Sequence, residues 1–338
     1  MIVVILALCG CGSGDPADST LDSDSDGEVV DSDEPTDTDT DPSDTDPTVQ
    51  TQLVVVFAGP YARYAASYDA GATWPVDFQG EVDDGDGHSE GLIRGCTFGQ
   101  GLFVCVGGDM EGTYRTSTDG ENWTQPFTGS RAWIADVAYG DGRFVTVGGF
   151  GNLTWSTDGS SWNEEYRDSS THLRAVAYGN GLYVAVGADR RAVTADGVTW
   201  TSDQSGFPGV DRIAFGNGVF VATGQNGQIA TSADGVDWTD QVVGSASRYG
   251  VAFGDGTFVT GGWPDPMQFS ADGLVWTAAD GTEQVAPSGY VEGYFYGPTW
   301  RDRIYRSTDA LDWELVKDNS EPEQNGFNDF AAGFVAIP

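Results

Sequence analysis

One short phrase recurs seven times along this 338-residue chain, each time ending in tryptophan. Its plainest copy is Ser156-Thr157-Asp158-Gly159-Ser160-Ser161-Trp162. The tryptophans are Trp74, Trp123, Trp162, Trp200, Trp238, Trp276 and Trp313, spaced by 49, 39, 38, 38, 38 and 37 residues. A period near 38 built from short alternating apolar stretches means one supersecondary unit per repeat, which buries its core only by stacking on its neighbours. Forty-eight glycines and few long aliphatic runs fit β-structure with many tight turns.

One unit reads strand by strand. Leu173–Tyr178 alternates as a first strand, Gly179-Asn180-Gly181 makes a hairpin turn, and Tyr183–Val186 returns as a second strand. The third strand is expected over Ala192–Ala195 and the fourth over Val198–Ser202. The first hairpin recurs at Cys96–Gly101, Val137–Gly142, Ile213–Gly218 and Val251–Gly256. A shortened, irregular version is expected near Val285-Ala286-Pro287, and the seventh first strand near Phe327. The first tryptophan-bearing unit has no first strand of its own, so the C-terminal strand completes the N-terminal blade. Phe334–Ile337 also reads as a second strand that competes with Leu53–Phe57. The fold expected is all-β: a seven-bladed β-propeller of four-stranded antiparallel blades, closed into a ring without a free edge.

Ser67-Tyr68-Asp69-Ala70-Gly71-Ala72-Thr73-Trp74 resembles the Asp-box, or bacterial neuraminidase repeat, residue for residue, and the other six are a form one residue shorter. The resemblance spans about Gln52 to the end and implies a propeller. It does not imply one activity, because the box occurs in sialidases, other glycosidases, sorting receptors, photosystem assembly factors and binding proteins. Asp69, Asp119, Asp158, Asp196, Asp234, Asp272 and Asp309 are read as structural: each caps turn amides between the third and fourth strands.

The region before the repeats divides in two. Residues 1–11 resemble a bacterial lipoprotein signal, with an apolar run and Leu8-Cys9-Gly10-Cys11 as the lipobox. This implies a lipidated Cys11 that anchors the chain to the cell envelope without spanning the bilayer. Residues 12–50 are Asp, Ser, Thr and Pro, with fourteen acidic residues and no Lys or Arg between Asp15 and Asp46. Such a stretch reads as a self-repelling tether, leaving 51–338 as the propeller.

Net charge is -37, which argues against nucleic acid or a bare anionic membrane as a partner. Cys96 and Cys105 stand nearly opposite each other on one hairpin and are slightly favoured as a disulfide over two buried thiols, export permitting it. Two remaining cysteines and two remote histidines lack metal-ligand spacing, so neither a metal nor a cofactor is expected.

Ten of the fifteen basic residues fall in turns expected on one face. Arg94, Arg131, Arg174, Arg212 and Arg248 lead into first strands. Arg63, Arg190, Arg191, Arg301 and Arg303 join second to third strands. Aromatics including Trp133, Phe150, Trp263 and Trp300 share these turns. Arginine with aromatics suits a carboxylate or acidic sugar; neutralisation of nearby Asp211, Asp189 and Asp302 is the equally weighted alternative. An insertion from Gln79 to Leu92 joins the same face.

Three functions follow. The favoured one is a non-enzymatic, monomeric, envelope-anchored binding module for an acidic glycan or an envelope or extracellular protein. A sialidase-like hydrolase is second, although the Phe/Tyr-Arg-Ile-Pro motif of that family is absent and no paired carboxylates stand out. A scaffold for assembling another envelope protein is third.

Overall fold

The repeated hairpins form as their turns dictate. Asn180-Gly181 and Asn217-Gly218 both take positive φ, the conformation of a two-residue hairpin turn. The computed structural model describes residues 50–80, 91–124, 127–130, 132–166, 172–187, 190–203, 209–279, 284–299, 303–318 and 326–337. They form seven four-stranded antiparallel sheets whose innermost strands neighbour one another in sequence around a closed ring. The protein is a seven-bladed β-propeller.

Blade 4 shows the plan. Its strands are Leu173–Gly179, Leu182–Gly187, Arg191–Thr194 and Thr201–Asp203, from the axis outward. The fourth begins three residues later than the sequence suggests. Val198 and Thr199 are held in the turn, where both backbone N–H groups donate to Asp196, at 2.8 and 2.7 Å.

Blade 1 is built from both ends of the chain. Asp329–Ala336 lies innermost and pairs antiparallel with Thr51–Gly59, bringing Ala336 opposite Thr51 and Asp329 opposite Ala58. Arg63–Ser67 and Val76–Phe78 complete the sheet. Phe334 therefore belongs to the single inner strand, which begins at Asp329, and does not compete with Leu53–Phe57. In blade 7, Val285–Ser288 is irregular and the inner strand is only Gly289–Val291, later than the Val285-Pro287 position expected. Pro287 has no N–H to donate to a ladder.

Adjacent blades interlock through an aromatic residue of one inner strand seated on a glycine of the previous one. A Cβ on Gly99 would stand 2.1 Å from the Tyr139 ring. The same overlap recurs at Gly140 with Tyr178, Gly179 with Phe215, Gly216 with Phe253, Gly254 with Tyr290 and Gly333 with Phe98. The aromatic-glycine dipeptide at the end of each inner strand is thus a packing device. The exception is the junction of blades 7 and 1. There Ala332 takes the aromatic position of blade 1, Val291 takes the glycine position of blade 7, and the two share one apolar cluster. Phe330 closes the seam one level higher, against Gly289.

The six shorter tryptophan turns share one core, a hydroxyl and two backbone N–H groups donating to the Asp. In the longer first turn Asp69 accepts Thr73 N and the Trp74 N–H has no partner among the described residues. In blade 3, Ser156 Oγ donates to Asp158 at 3.0 Å and receives the Gly159 N–H at 2.9 Å. Asp158 Oδ1 accepts from Ser160 N and Ser161 N at 2.8 and 2.7 Å, and Trp162 Nε1 donates to Gly159 O at 3.1 Å. The indole stacks on Tyr114 of the previous blade, 4.3 Å between centroids; Trp123 stacks likewise on Tyr64 at 4.1 Å. All seven carboxylates are held below the usual range. In Asp158, Asp196, Asp234, Asp272 and Asp309 the two backbone donors are the main cause. In Asp69 and Asp119 burial pushes upward and the summed hydrogen bonds outweigh it.

Cys96 and Cys105 pair in register across the blade 2 hairpin and are joined by a disulfide, with Cα atoms 4.1 Å apart. Cys11, the tether and most of the Gln79–Leu92 insertion lie outside the described residues.

Candidate functional site

Five consecutive blades, 2 to 6, carry a β-bulge near the start of the inner strand. In blade 2, Ile93 pairs with Gly107 and Gly95 with Val106, leaving Arg94 as the extra residue. The extra residue is Ala135 in blade 3, Arg174 in blade 4, Asp211 in blade 5 and Tyr249 in blade 6. A bulge bends its strand and re-aims the side chain it frees.

A glycine at or next to the end of each second strand makes the bulge possible. A Cβ on Gly107, Gly148, Gly187, Gly224 or Gly262 would lie 1.8–2.2 Å from a carbonyl oxygen at the start of the opposing inner strand. That carbonyl is then free to accept an N–H at the bulge: Leu92 O from Gly108, Trp133 O from Gly149, and Gly209 O from Gln225.

All five bulge residues line one cavity of about 630 Å³ at the ring mouth, joined by Trp133, His172, Arg212, Arg248 and Asn328. Four arginines named from the sequence, Arg94, Arg174, Arg212 and Arg248, are therefore brought together. They do not occupy equivalent positions. Arg94 and Arg174 are the freed residues, Arg212 lies one place later and Arg248 one place earlier.

The offset decides their environments. Arg248 aligns with Ile93, Ile134, Leu173 and Val210, core positions, and its own side chain is buried. It donates to Val243 O at 2.6 Å and lies 3.6 Å from Asp265. Asp265 in turn accepts Ser245 N and Ala246 N, so the pair fastens the loop before the strand. Burial pushes the Arg248 pKa down and Asp265 opposes the shift. The Arg248 side chain has no exposed surface, and its bonds fasten that loop.

Arg94 donates to Gly108 O at 3.2 Å, stands 4.0 Å from Asp109 and lies over the Trp133 ring at 5.3 Å. Burial lowers its pKa, with Asp109 acting the other way. Arg174 donates to the Asp211 carboxylate. Among the described residues Arg212 donates only to the backbone oxygen of Asp211, at 2.9 Å. His172 lies parallel to Trp133 at 6.1 Å, accepts the Phe150 N–H at 3.3 Å and meets the Phe150 ring edge-on at 5.0 Å.

A second cavity of about 450 Å³ adjoins the first and shares Arg212, Tyr249 and Asn328 with it. Its remaining wall comes mainly from blades 7 and 1, including Pro60, Val285, Ala286, Pro298 and Phe327.

Further down the inner strands lie two buried carboxylates. Asp136 accepts Val137 N and, from the next blade, Val176 N at 2.9 Å. Asp329 accepts Cys96 N of the next blade at 2.7 Å. Burial raises the Asp329 pKa, and the charge of Asp136 adds to the rise.

The arginines joining second to third strands take no part in either cavity's described lining. Arg63 is buried against Asp77 and Phe327. Arg191 bonds Asp240 at 2.7 Å and lies over Trp238, and Arg303 bonds Asp318. Arg131 and Trp300 lie outside the described residues, as does the Trp263 side chain, although Trp263 ends a strand. Asp211 is the one carboxylate among the described lining residues. The pair a glycosidase needs is not found there.

No family model matches this chain, and no curated protein does. Solved structures do resemble it. "YCF48 bound to D1 peptide" superposes with a TM-score of 0.52 at 19% identity, covering 77% of this chain and 89% of that one. YCF48 from Cyanidioschyzon merolae gives 0.53 at 15%, covering 69% and 87%. A chain of a nidogen/laminin complex gives 0.52 at 12%, covering 84% and 100%. At these identities the likeness is one of fold.

Proposed function

We propose that the chain is a binding module that receives an anionic ligand at the ring mouth. The observation that carries this is the convergence of Arg94, Arg174 and Arg212 on one cavity in a protein whose net charge is -37. Guanidinium groups held at or beside bulges on a rigid ring are preorganised donors for a carboxylate. The fold is compatible with a protein partner, since a structural neighbour is recorded with a bound peptide and another in a protein complex. An acidic glycan presents the same carboxylate chemistry.

The same proposal places the propeller in the Asp-box class, on the shared turn pattern, and at the bacterial cell envelope, held through a lipidated Cys11 and the acidic tether. Palmitate incorporation that disappears in Cys11→Ser tests the anchor.

The site is tested by titration calorimetry at low salt with two probes, oligogalacturonate and a poly-glutamate peptide. Binding of at least one is expected. Arg212→Gln should weaken it roughly ten- to a hundredfold, the worth of a lost charge-assisted hydrogen bond. Wild type that binds neither probe sinks the reading.

A further inference from the structure

We infer that the ligand is a protein segment in which one acidic residue stands beside an apolar side chain, seated across the two adjoining cavities. This rests on the anionic-ligand reading above and narrows it.

The charge balance of the mouth comes first. Arg174 is bonded to Asp211, Arg248 lies against Asp265, and Arg94 is within 4.0 Å of Asp109. Among the described residues, Arg212 alone of the four engages no carboxylate; its one bond there is to a backbone oxygen. Three cations that already have counter-charges and one that does not make a seat for a single carboxylate. A polyanion would need several open cations.

The position of Arg212 comes second. It lines both cavities, so a carboxylate seated on it stands at the opening of the second. That cavity's wall includes Pro60, Val285, Ala286, Pro298 and Phe327 beside the polar Gln284, Ser288 and Thr299, and its volume of about 450 Å³ falls within the range of ligand pockets. Its five apolar residues give an apolar group next to the acid a surface to pack on.

The rim supplies an independent third observation. Phe150 is 52% exposed and has φ +55°, a strained setting for a bulky aromatic. The matching turn of blade 5 puts Asn226 at φ +56°, the kind of residue that tolerates this geometry. Strain of this sort persists where a function retains it. Trp133 is by contrast already engaged by Arg94 and His172, which removes the flat surface a sugar ring would use. Phe150 adds an apolar contact beside His172, which lines the first cavity.

The test pans random heptapeptides, flanked on both sides so that no chain end is presented, on the full chain. Selected sequences should share an Asp or Glu next to an aromatic or aliphatic residue. A synthetic peptide of the selected sequence should lose tenfold or more in affinity with Arg212→Gln, and similarly with Thr299→Phe, which fills the second cavity. Ala286→Asp replaces Thr299→Phe if that variant does not fold. Oligogalacturonate is titrated in parallel. Selected peptides with an acid but no apolar neighbour, indifferent to the filled cavity, overturn this inference and leave the anionic site standing. So does Arg212-dependent oligogalacturonate binding with no peptide selected. Peptides that lack an acid and ignore Arg212→Gln overturn both, as does no binding at all.

Discussion

Gly179→Ala isolates the contact that holds one blade to the next. The new methyl would lie 2.1, 2.3 and 2.4 Å from three atoms of the Phe215 ring, where carbon atoms pack at about 3.5–4.0 Å. The ring cannot turn away freely, because its other neighbour is Phe220, 4.8 Å between centroids. Forced overpacking of this kind costs about 1–3 kcal/mol. The backbone acts the other way. Gly179 is not in the left-handed region, so alanine fits its φ and removes unfolded-state entropy worth about 0.4–1 kcal/mol. The net expectation is a loss of about 1–2 kcal/mol. The chain itself supplies the control, since Val291 stands at the glycine position where the facing residue is Ala332. In a Phe215→Ala background, already destabilised by about 3–4 kcal/mol, adding Gly179→Ala should therefore be neutral or stabilising. The coupling across the cycle should reach about 2 kcal/mol. Urea unfolding of the oxidised full chain measures it, as a midpoint shift at constant m. A Gly179→Ala loss that persists undiminished without the Phe215 ring would falsify the packing argument.

Four further outcomes are expected. Asn180 and Asn217 donate from Nδ2 to carbonyls of the following blade, at 2.9–3.0 Å; Asp255 holds the same hairpin position and has no proton to give. Asp255→Asn should raise stability by about 1 kcal/mol, and an unchanged urea midpoint refutes it. Phe150→Asn, which installs the residue blade 5 uses, should raise the midpoint by an amount worth about 1 kcal/mol. Asp158→Ala should cost about 1–2 kcal/mol and leave probe binding at the opposite face unchanged in calorimetry. The acid response follows from the seven lowered turn carboxylates. A depressed folded pKa contributes stability that is complete above the unfolded value of about 4 and is lost as pH falls through the folded one. Thermal scans from pH 5 to 2 should show a falling midpoint, with a shallower fall in Asp158→Ala. Asp329, raised by burial, acts in the opposite sense.

The parts of the fold written as local chemistry were legible in the sequence. The hairpin turns, the tryptophan phrase and the missing first strand of the first unit each depend on residues close together, and together they imply a closed seven-bladed ring. Val198 was misplaced because an apolar residue before Trp200 looks like strand, whereas Asp196 captures its N–H for the turn. The site was half legible. Arginines near strand starts were visible, yet their roles depend on a one-residue shift in pairing that no composition reveals. Arg248 and Arg174 look alike in the sequence and differ because one falls before the bulge and the other on it. A usable signal exists: the glycine at or next to the end of each second strand, at 107, 148, 187, 224 and 262, marks where a carbonyl comes too close for any side chain. His172, Tyr249 and Asn328 came from no pattern, being gathered by the ring from three separate blades.

The seam between the last blade and the first has a consequence for chains that meet while still open. Every inner strand of blades 2 to 6 ends in an aromatic followed by glycine, so these strands are near-interchangeable plugs. The C-terminal strand is cut differently: Ala332 sits where the others carry a ring, and Phe330, two residues earlier, does the seating. Docked against any other blade, Ala332 would leave a hole above a glycine. Only the gap beside Val291 accepts it without one. That mismatch works as a keyed closure, steering the last strand to its own ring at the right place. The same key leaves one opening, since the gap in a second copy of this chain is cut to match, and exchange of C-terminal strands is the one misassembly the key does not discourage.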